Sequence, residues 1–178
     1  MKHLLILLLL ISTAAYLPAG GNREQPQEPQ NGSEEVQEKE DFALLQGVDL
    51  FDGAHIGAEI FQDNSVTLIN IWATTCPACI RKMPELARLE HMLPEQTALI
   101  GIALDGASRR DDALAVLESH ELGFTNIVPH GSMSSLLHRV APYIPATVLV
   151  DSTGKIISGP HYGLKPAEAY LEEIESHL

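Results

Sequence analysis

Two cysteines three positions apart, the only ones in the chain, lie in the segment WATTCPACIRKMP, between an apolar run and a helix-like stretch. In a thiol-disulfide site one sulfur attacks as a thiolate, and the second must be close enough to displace the substrate from the mixed disulfide. At a helix start, Cys76 would face unpaired N–H groups and the positive end of the helix dipole, which lower a thiol pKa. Cys79 would lie one turn inside, and Pro77 suits the first helical position. The spacing therefore indicates a redox pair.

A cysteine pair can also be a structural staple, a metal site or part of a core. A structural disulfide between positions i and i+3 closes too small a loop to constrain the unfolded chain much. A zinc site needs further ligands, and the histidines are scattered, with no H-x3-H and no second C-x-x-C, so no metal site is predicted. Two buried core cysteines are the remaining alternative, although a junction between a strand and a helix is an exposed place.

The composition restricts the classes of partner. The chain has 178 residues and a formal net charge of −13, a length that favours one domain with appendages. Its few Lys and Arg residues are scattered rather than gathered in a basic stripe, which argues against nucleic acid and against an anionic membrane surface as ligands.

The beginning of the chain is typical of a targeting segment. Lys2 supplies a charge, Leu4 to Ile11 is unbroken aliphatic sequence, and small residues follow at 13–15. We predict a signal peptide or N-terminal anchor over residues 1–21 and an acidic disordered linker over 22–41, because the latter stretch has too little apolar surface to fold. The folded domain is predicted over 42–178, in an exported protein.

Apolar runs and helical spacing alternate in the folded part, which indicates an α/β fold. Val66 to Trp72 and Ala98 to Leu104 are predicted to be central strands, since they are near-continuously apolar. Pro77 to Leu93 has apolar residues at helical spacing and predicts the crossover helix between them. The cysteines then lie at the first strand-to-helix turn.

The rest of the domain continues the alternation. Ser108 with Asp111 predicts the N-cap of a second helix that ends near Gly123. The further predictions are a strand around Ile127, a helix over 134–140, a hairpin of strands 147–151 and 155–158, and a last helix starting at Pro166 with Leu178 on its apolar face.

Three sequence segments resemble one known family. "LINIWATTCPAC" followed by "RKMPEL", and "YIPATVLVDSTGKI" near the end, are similar to the thioredoxin superfamily, and most to its extracytoplasmic TlpA/ResA-like thiol-disulfide oxidoreductases. The resemblance covers about Phe42 to Leu178. It implies a thioredoxin-like α/β fold, with a central mixed β-sheet and helices on both faces, and the activity of a thioredoxin-like reductase without a cofactor.

The resemblance also implies roles for individual residues. Cys76 would attack and Cys79 would resolve, the two forming the redox disulfide. Ile144-Pro145 matches the loop whose proline is cis in this superfamily, faces the cysteine pair and offers backbone hydrogen bonds to a bound peptide; an X-Pro bond reaches cis at modest cost. Trp72 would pack beside the active-site turn.

The substrate-binding set implied in this way is Trp72, Pro77, Ile144 and Pro145. A buried tryptophan at a strand end, without such a role, is the rival interpretation of Trp72. Pro84 would match the proline that kinks the first helix of the family, since it lacks the donor of an i to i−4 hydrogen bond.

Three positions depart from the pattern of the family. Thr75 stands where many members have an aromatic residue, and Lys82 stands where many have an acid that manages the proton of the second cysteine. Asn70 takes the place of the buried acid of thioredoxin. Lys82 and Asn70 are therefore candidates for modulating the thiol pKa values. Lys82 either favours the Cys76 thiolate electrostatically or is a solvated lysine on the helix face.

The resemblance implies an extracytoplasmic protein, in the periplasm or cell envelope, secreted or held by an uncleaved N-terminal anchor. It would reduce disulfide-bearing extracytoplasmic proteins and be restored by a membrane thiol-disulfide reductant of the CcdA/DsbD type. The family offers apocytochrome c and methionine sulfoxide reductase as clients. The alternatives are a thiol peroxidase, against which Ala73 speaks because such sites usually have Thr there, and a copper-handling or peptide-binding module without redox turnover.

Overall fold

The computed structural model describes residues 41–178. The signal peptide or anchor predicted over 1–21, and the linker predicted over 22–41 except for its last residue, lie outside this part. None of the helices formed by the described residues has the length and apolar character needed to cross a membrane.

Strands and helices alternate along the described part of the chain. In chain order the elements are β1 (Gln46–Asp49), β2 (His55–Gly57), a 3₁₀ helix (Ala58–Phe61), β3 (Val66–Trp72), α1 (Pro77–Glu90), β4 (Thr97–Ala103), α2 (Arg110–Ser119), β5 (Asn126–Pro129), α3 (Met133–Val140), β6 (Ala146–Asp151), β7 (Ile156–Tyr162) and α4 (Ala167–Glu175).

All the strands of residues 41–178 join in one sheet, in the order β2-β1-β5-β4-β3-β6-β7. The neighbours β3 and β4, and β4 and β5, are parallel, whereas the other pairs are antiparallel. The sheet is therefore mixed, as expected. Strand β3 lies inside the sheet and is buried at every position, because helices cover both of its faces.

The side chains of β3 alternate between two hydrophobic clusters. On what we call the α1 face, Leu68 and Trp72 pack with buried residues of α1, α2 and α4. On what we call the α3 face, Ile69 and Ile71 pack with α3 and the 3₁₀ helix. This alternation is the pattern of a strand whose successive side chains point to opposite faces of a sheet. The predicted α/β fold with helices on both faces is confirmed.

Most elements begin and end within a few residues of their predicted bounds, but two details were wrong. Ser108 is not the N-cap of α2: the helix begins at Arg110, after Arg109, and the Ser108 hydroxyl instead donates to the Asp105 carbonyl at 3.2 Å. Leu178 lies beyond the end of α4 and is 60% exposed, so it does not extend the apolar face of that helix. Pro166 occupies the N-cap position of α4.

Candidate functional site

The two cysteines form a disulfide at the start of α1, with a Cα–Cα distance of 5.2 Å. Cys76 is the N-cap residue, and its Sγ accepts a hydrogen bond from the backbone N–H of Cys79 at 3.1 Å. Pro77 follows as the first helical residue, where a missing N–H costs nothing. Cys76 is half-buried and Cys79 is 1% exposed. A partly exposed cysteine thus precedes a buried one.

The segment that enters this turn is held by Asp105, which follows β4. Its carboxylate accepts from the backbone N–H of Thr74 at 3.0 Å, from the Thr74 hydroxyl at 2.6 Å and from the Thr75 N–H at 3.4 Å. Burial by itself would raise the pKa of Asp105, but these hydrogen bonds outweigh it and lower the pKa below its usual value. The Arg109 Nε donates in turn to the Thr74 hydroxyl at 2.8 Å.

Asp105 was not among the residues predicted from the sequence. The sequence feature that could have identified Asp105 is its position just after a predicted strand next to β3. The carboxyl ends of adjacent parallel strands meet at one edge of a sheet, so a residue there lies near the cysteine turn. The carboxylate fixes the approach to Cys76 from the neighbouring strand.

The peptide bond between Ile144 and Pro145 is cis, as the resemblance implied. Ile71 of β3 pairs with Ala146 of β6, so the preceding Pro145 lies at the edge of the sheet from which the chain runs on to Cys76. The Pro145 carbonyl accepts from the Gly163 N–H at 3.0 Å. Pro145 is buried, whereas Ile144 is half-buried.

Trp72 is fully buried at the end of β3, and its Nε1 donates to the Asn126 Oδ1 at 3.0 Å. Asn126 reaches this position only because residue 101 is Gly, since a Cβ there would come within 1.9 Å of the Asn126 Oδ1. No part of the Trp72 side chain is available to a docked substrate. Any effect of Trp72 on substrate binding would therefore pass through the active-site turn that follows it.

Lys82 is completely buried on the α1 face, which overturns the interpretation of a solvated helix-face lysine. Its Nζ donates to the Thr147 Oγ1 of β6 and lies 5.1 Å from the centroid of the Tyr170 ring. Burial, with a smaller contribution from the charge of Lys165, lowers the pKa of Lys82 from 10.5 to about 7. A large part of the population therefore carries a neutral amine at neutral pH.

Asn70 is buried beside this amine. It pairs across the sheet with Thr147, and residues paired in an antiparallel ladder point to the same face. Among residues 41–178, the Asn70 Oδ1 has no hydrogen-bond partner. The structure thus brings Asn70 and Lys82, the two candidates for modulating the thiol pKa values, to the same face as Cys79.

An open groove of about 790 Å³ lies beside the cysteine turn. Its walls include Thr75, Pro77, Ile80, Pro84, His120 and Leu164. Pro84 lies inside α1, as predicted. Near the Ile144-Pro145 loop, the exposed rings of Tyr143 and Tyr162 pack edge to face, with centroids 5.9 Å apart. Apolar surface therefore flanks the site on more than one side.

The part of the chain described by the structure, residues 41–178, contains no group of three or more His, Cys, Asp and Glu side chains that could hold a metal ion. The chemistry that the arrangement supports is thiol-disulfide exchange at a helix N-terminus.

Curated proteins similar to this chain carry names of the same class. The thiol:disulfide interchange protein DsbE of Pasteurella multocida is 29% identical over 130 residues, which cover 71% of this chain and 67% of that protein. The thiol-disulfide oxidoreductase ResA of Halalkalibacterium halodurans is 25% identical over 112 residues, which cover 60% of this chain and 61% of that protein. The matches thus span about two thirds of the relatives, or less. No protein-family model matches the chain.

Among solved structures, the secreted thiol-disulfide isomerase of Corynebacterium glutamicum superposes with a TM-score of 0.63 at 20% identity, covering 75% of this chain and 82% of that one. This likeness shows the fold. The fold and the cysteine pair define a thioredoxin-like thiol-disulfide oxidoreductase. Its sequence is similar to those of DsbE- and ResA-type members of the thioredoxin superfamily, and its fold is thioredoxin-like.

Proposed function

We propose that the protein is exported and reduces disulfides of extracytoplasmic client proteins. The observation that carries the proposal is the pair itself: half-buried Cys76 is the N-cap of α1, and Cys79 is buried three residues further on. This arrangement allows one sulfur to meet a protein substrate and keeps the other for the intramolecular step.

The reaction has two exchanges. In the reduced protein the Cys76 thiolate attacks one sulfur of the client disulfide, and the other client sulfur leaves as a thiolate. Cys79 then attacks the Cys76 sulfur, the mixed disulfide breaks, and the second client sulfur leaves. The client gains two electrons, and the protein is left with the Cys76–Cys79 disulfide.

The client would lie over the cysteine turn, between the groove of α1 and the Ile144-Pro145 loop. Pro77 lines the groove, and half-buried Ile144 would offer backbone groups to an extended segment. The exposed rings of Tyr143 and Tyr162 would add apolar contact. Trp72 would not contact the client itself, but it would support the cysteine turn that the client contacts. These contacts suit a polypeptide better than a small metabolite, because they are spread over a wide surface.

We infer that residues 1–21 direct export or anchor the protein, that 22–41 tether the domain of 42–178, and that a membrane reductant restores the dithiol. The similarity to a protein described as secreted supports the location. Apocytochrome c and methionine sulfoxide reductase are the client classes to test first.

Insulin reduction with a chemical electron donor tests the activity. The wild type should turn over, Cys76→Ser should not, and Cys79→Ala should accumulate mixed disulfides through Cys76. Turnover by Cys76→Ser would refute the proposal. Pull-down of clients with Cys79→Ala separates the two client classes, and the reduction potential of the pair decides between a reductase and a disulfide donor.

A further inference from the structure

Lys82 has surroundings that are unusual for a lysine. Its side chain is 0% exposed, and among residues 41–178 it forms no ion pair with a carboxylate. An ammonium group is expensive to bury without a counter-ion, so lysine is rarely buried in this way. Stability alone does not explain the residue, because an apolar side chain would suit the site better.

Lys82 shares the buried face of α1 with Cys79. Cys79 and Lys82 are three residues apart on α1, so they occupy neighbouring positions on one helix face. Long helical side chains lean toward the N-terminus of the helix, which directs the Lys82 stem toward the turn that holds Cys79. Its Nζ meets Thr147, which follows Pro145 by two residues. The amine thus contacts the strand that follows the cis-proline, from the helix face that also carries Cys79.

We propose that the Lys82 amine is the base that takes the proton of Cys79 when Cys79 resolves the mixed disulfide, and that it returns this proton when the disulfide is reduced again. The inference rests on the proposed function and goes further, since it assigns the proton of the buried thiol. Without a base, deprotonation of a thiol that is 1% exposed is unfavourable, because burial disfavours the thiolate.

The step balances in atoms and charge. The S–H bond of Cys79 breaks and its proton moves to the neutral Lys82 amine, which becomes an ammonium. The Cys79 sulfur forms a bond with the Cys76 sulfur, the bond between Cys76 and the client breaks, and the client leaves as a thiolate. The ammonium then gives its proton to solvent or to the client thiolate.

The pocket can accept the ammonium for a short time. The extra N–H can turn to the Asn70 Oδ1, which has no other partner within residues 41–178 and belongs to the residue paired with Thr147. The Tyr170 ring presents its face to the Nζ at 5.1 Å, a favourable place for a cation.

Titratable groups from each neighbouring element bear on this amine. From α4, the Tyr170 hydroxyl lies 3.3 Å from Thr147 Oγ1, and burial raises its pKa, so it stays neutral. Lys165 lies over the Tyr170 ring at 5.2 Å and is paired with Glu173, which also meets His161 of β7. The strands β3 and β6 contribute the uncharged Asn70 and Thr147. The lowered pKa of Lys82, about 7, agrees with a base that is neutral when needed.

Single-turnover reaction of the reduced full chain with 5,5′-dithiobis(2-nitrobenzoate) tests the assignment. The first release of nitrothiobenzoate reports the attack by Cys76, and the second reports resolution by Cys79. In the wild type, the second rate should rise with pH and level off above about pH 7. In Lys82→Met it should fall on the order of 100-fold at neutral pH and keep rising with pH, while the first rate is unchanged.

Two further substitutions separate a base from other roles. Lys82→Arg keeps the charge but cannot lose a proton, so its second rate should match that of Lys82→Met; recovery of the wild-type rate would overturn the proposal in favour of an electrostatic role. If the Lys82→Arg variant does not fold, Lys82→Gln replaces it as the second test variant. Lys165→Met is the matched control, and it should keep the plateau with a midpoint at higher pH, because a nearby positive charge is lost.

A pH profile of Lys82→Met and Lys82→Gln identical to that of the wild type would overturn the inference and leave the proposed function intact. Absence of the first release from the wild type would instead refute the proposed function.

Discussion

The two faces of the sheet are built differently. On the α3 face the buried side chains are apolar apart from Thr67. On the α1 face an apolar cluster of similar extent is interrupted by Lys82, Asn70, Thr147 and Asn126. Both faces pack against the same buried strand, β3, and both hold helices in place. Only one of them carries the cysteines.

The difference shows which face of the sheet contains buried groups that lower the free energy of unfolding. An apolar cluster is enough to hold a helix on a sheet, as the α3 face shows. The polar groups beneath α1 are therefore not required for the architecture, and each one lowers stability unless it is hydrogen-bonded. Lys82, Asn70 and Thr147 share the α1 face with Cys79, and we propose that they serve its chemistry. Four substitutions test this comparison.

The largest effect is expected on the α3 face. Leu137→Ala should lower the free energy of unfolding by about 3 kcal/mol, because it leaves a cavity under a helix whose Leu137 is 3% exposed. The loss should be the same at every pH, since this face holds no charged group near Leu137 among the buried residues. Denaturant unfolding at several pH values measures it. The rate of thiol exchange per folded molecule should not change, and a parallel fall would contradict the division between the faces.

On the α1 face, Lys82→Met should have the opposite sign. A pKa lowered from 10.5 to about 7 corresponds to about 5 kcal/mol of destabilisation at neutral pH. We expect a net gain of about 2 kcal/mol, since Thr147 loses its donor and the new side chain packs imperfectly. The unfolded chain binds the proton more tightly, so wild-type stability rises from about pH 7 to pH 10.5. The gain from Lys82→Met should therefore shrink over this window, and a gain that is constant with pH would be evidence against a neutral buried amine.

Glu173→Gln tests the outer edge of the same face. Burial by itself would raise the pKa of Glu173, but hydrogen bonds from Lys165, Ser158 and His161, with the charge of His161, lower it to about 2. Its stabilising effect is present above the ordinary pKa of 4.5 and is lost as pH falls toward 2. Because solvent reaches the cluster, we expect a loss of only about 1 kcal/mol at neutral pH. Acid titration of both proteins should show the two curves converging below pH 4.5; parallel curves would exclude this role.

The smallest effect is expected for Thr67→Val. The Thr67 hydroxyl is buried on the α3 face and has no partner among residues 41–178. Valine has the same shape without a polar atom, so the free energy of unfolding should rise by about 1 kcal/mol. Both phases of the exchange reaction should be unchanged. A slower second phase would show that the polar groups of the two faces act together.

Long apolar segments were the most predictable part of the molecule. Strand β3 has the predicted bounds, because a seven-residue run that is apolar except for Thr67 and Asn70 has few other ways to be buried. Strands β1 and β2 were not predicted, since four and three residues are too few to show a period. Ser108 and Asp111 have the spacing of a helix N-cap pair, which is why the start of α2 was mispredicted. In the structure the Ser108 hydroxyl donates to the Asp105 carbonyl in the turn after β4.

The candidate site was predictable where its residues are adjacent in sequence. Cys76, Pro77 and Cys79 follow from one motif and from the physics of a helix start. The burial of Lys82 was not accessible in this way, because a lysine on a helix can face either solvent or a neighbouring element. Its environment is made by Thr147 and Tyr170, which are far from it in sequence.

The attachment of Thr74 and Thr75 to Asp105 separates two properties of the active site. Upstream, the segment that leads to Cys76 is anchored by the carboxylate of Asp105, which follows the neighbouring strand β4. Downstream, Cys76 caps the helix α1. Residues 77 and 78 between the cysteines can therefore be exchanged to shift the driving force of the reaction without moving the attacking atom. The residues before Cys76 therefore set its position, and the residues after it set the reduction potential of the pair.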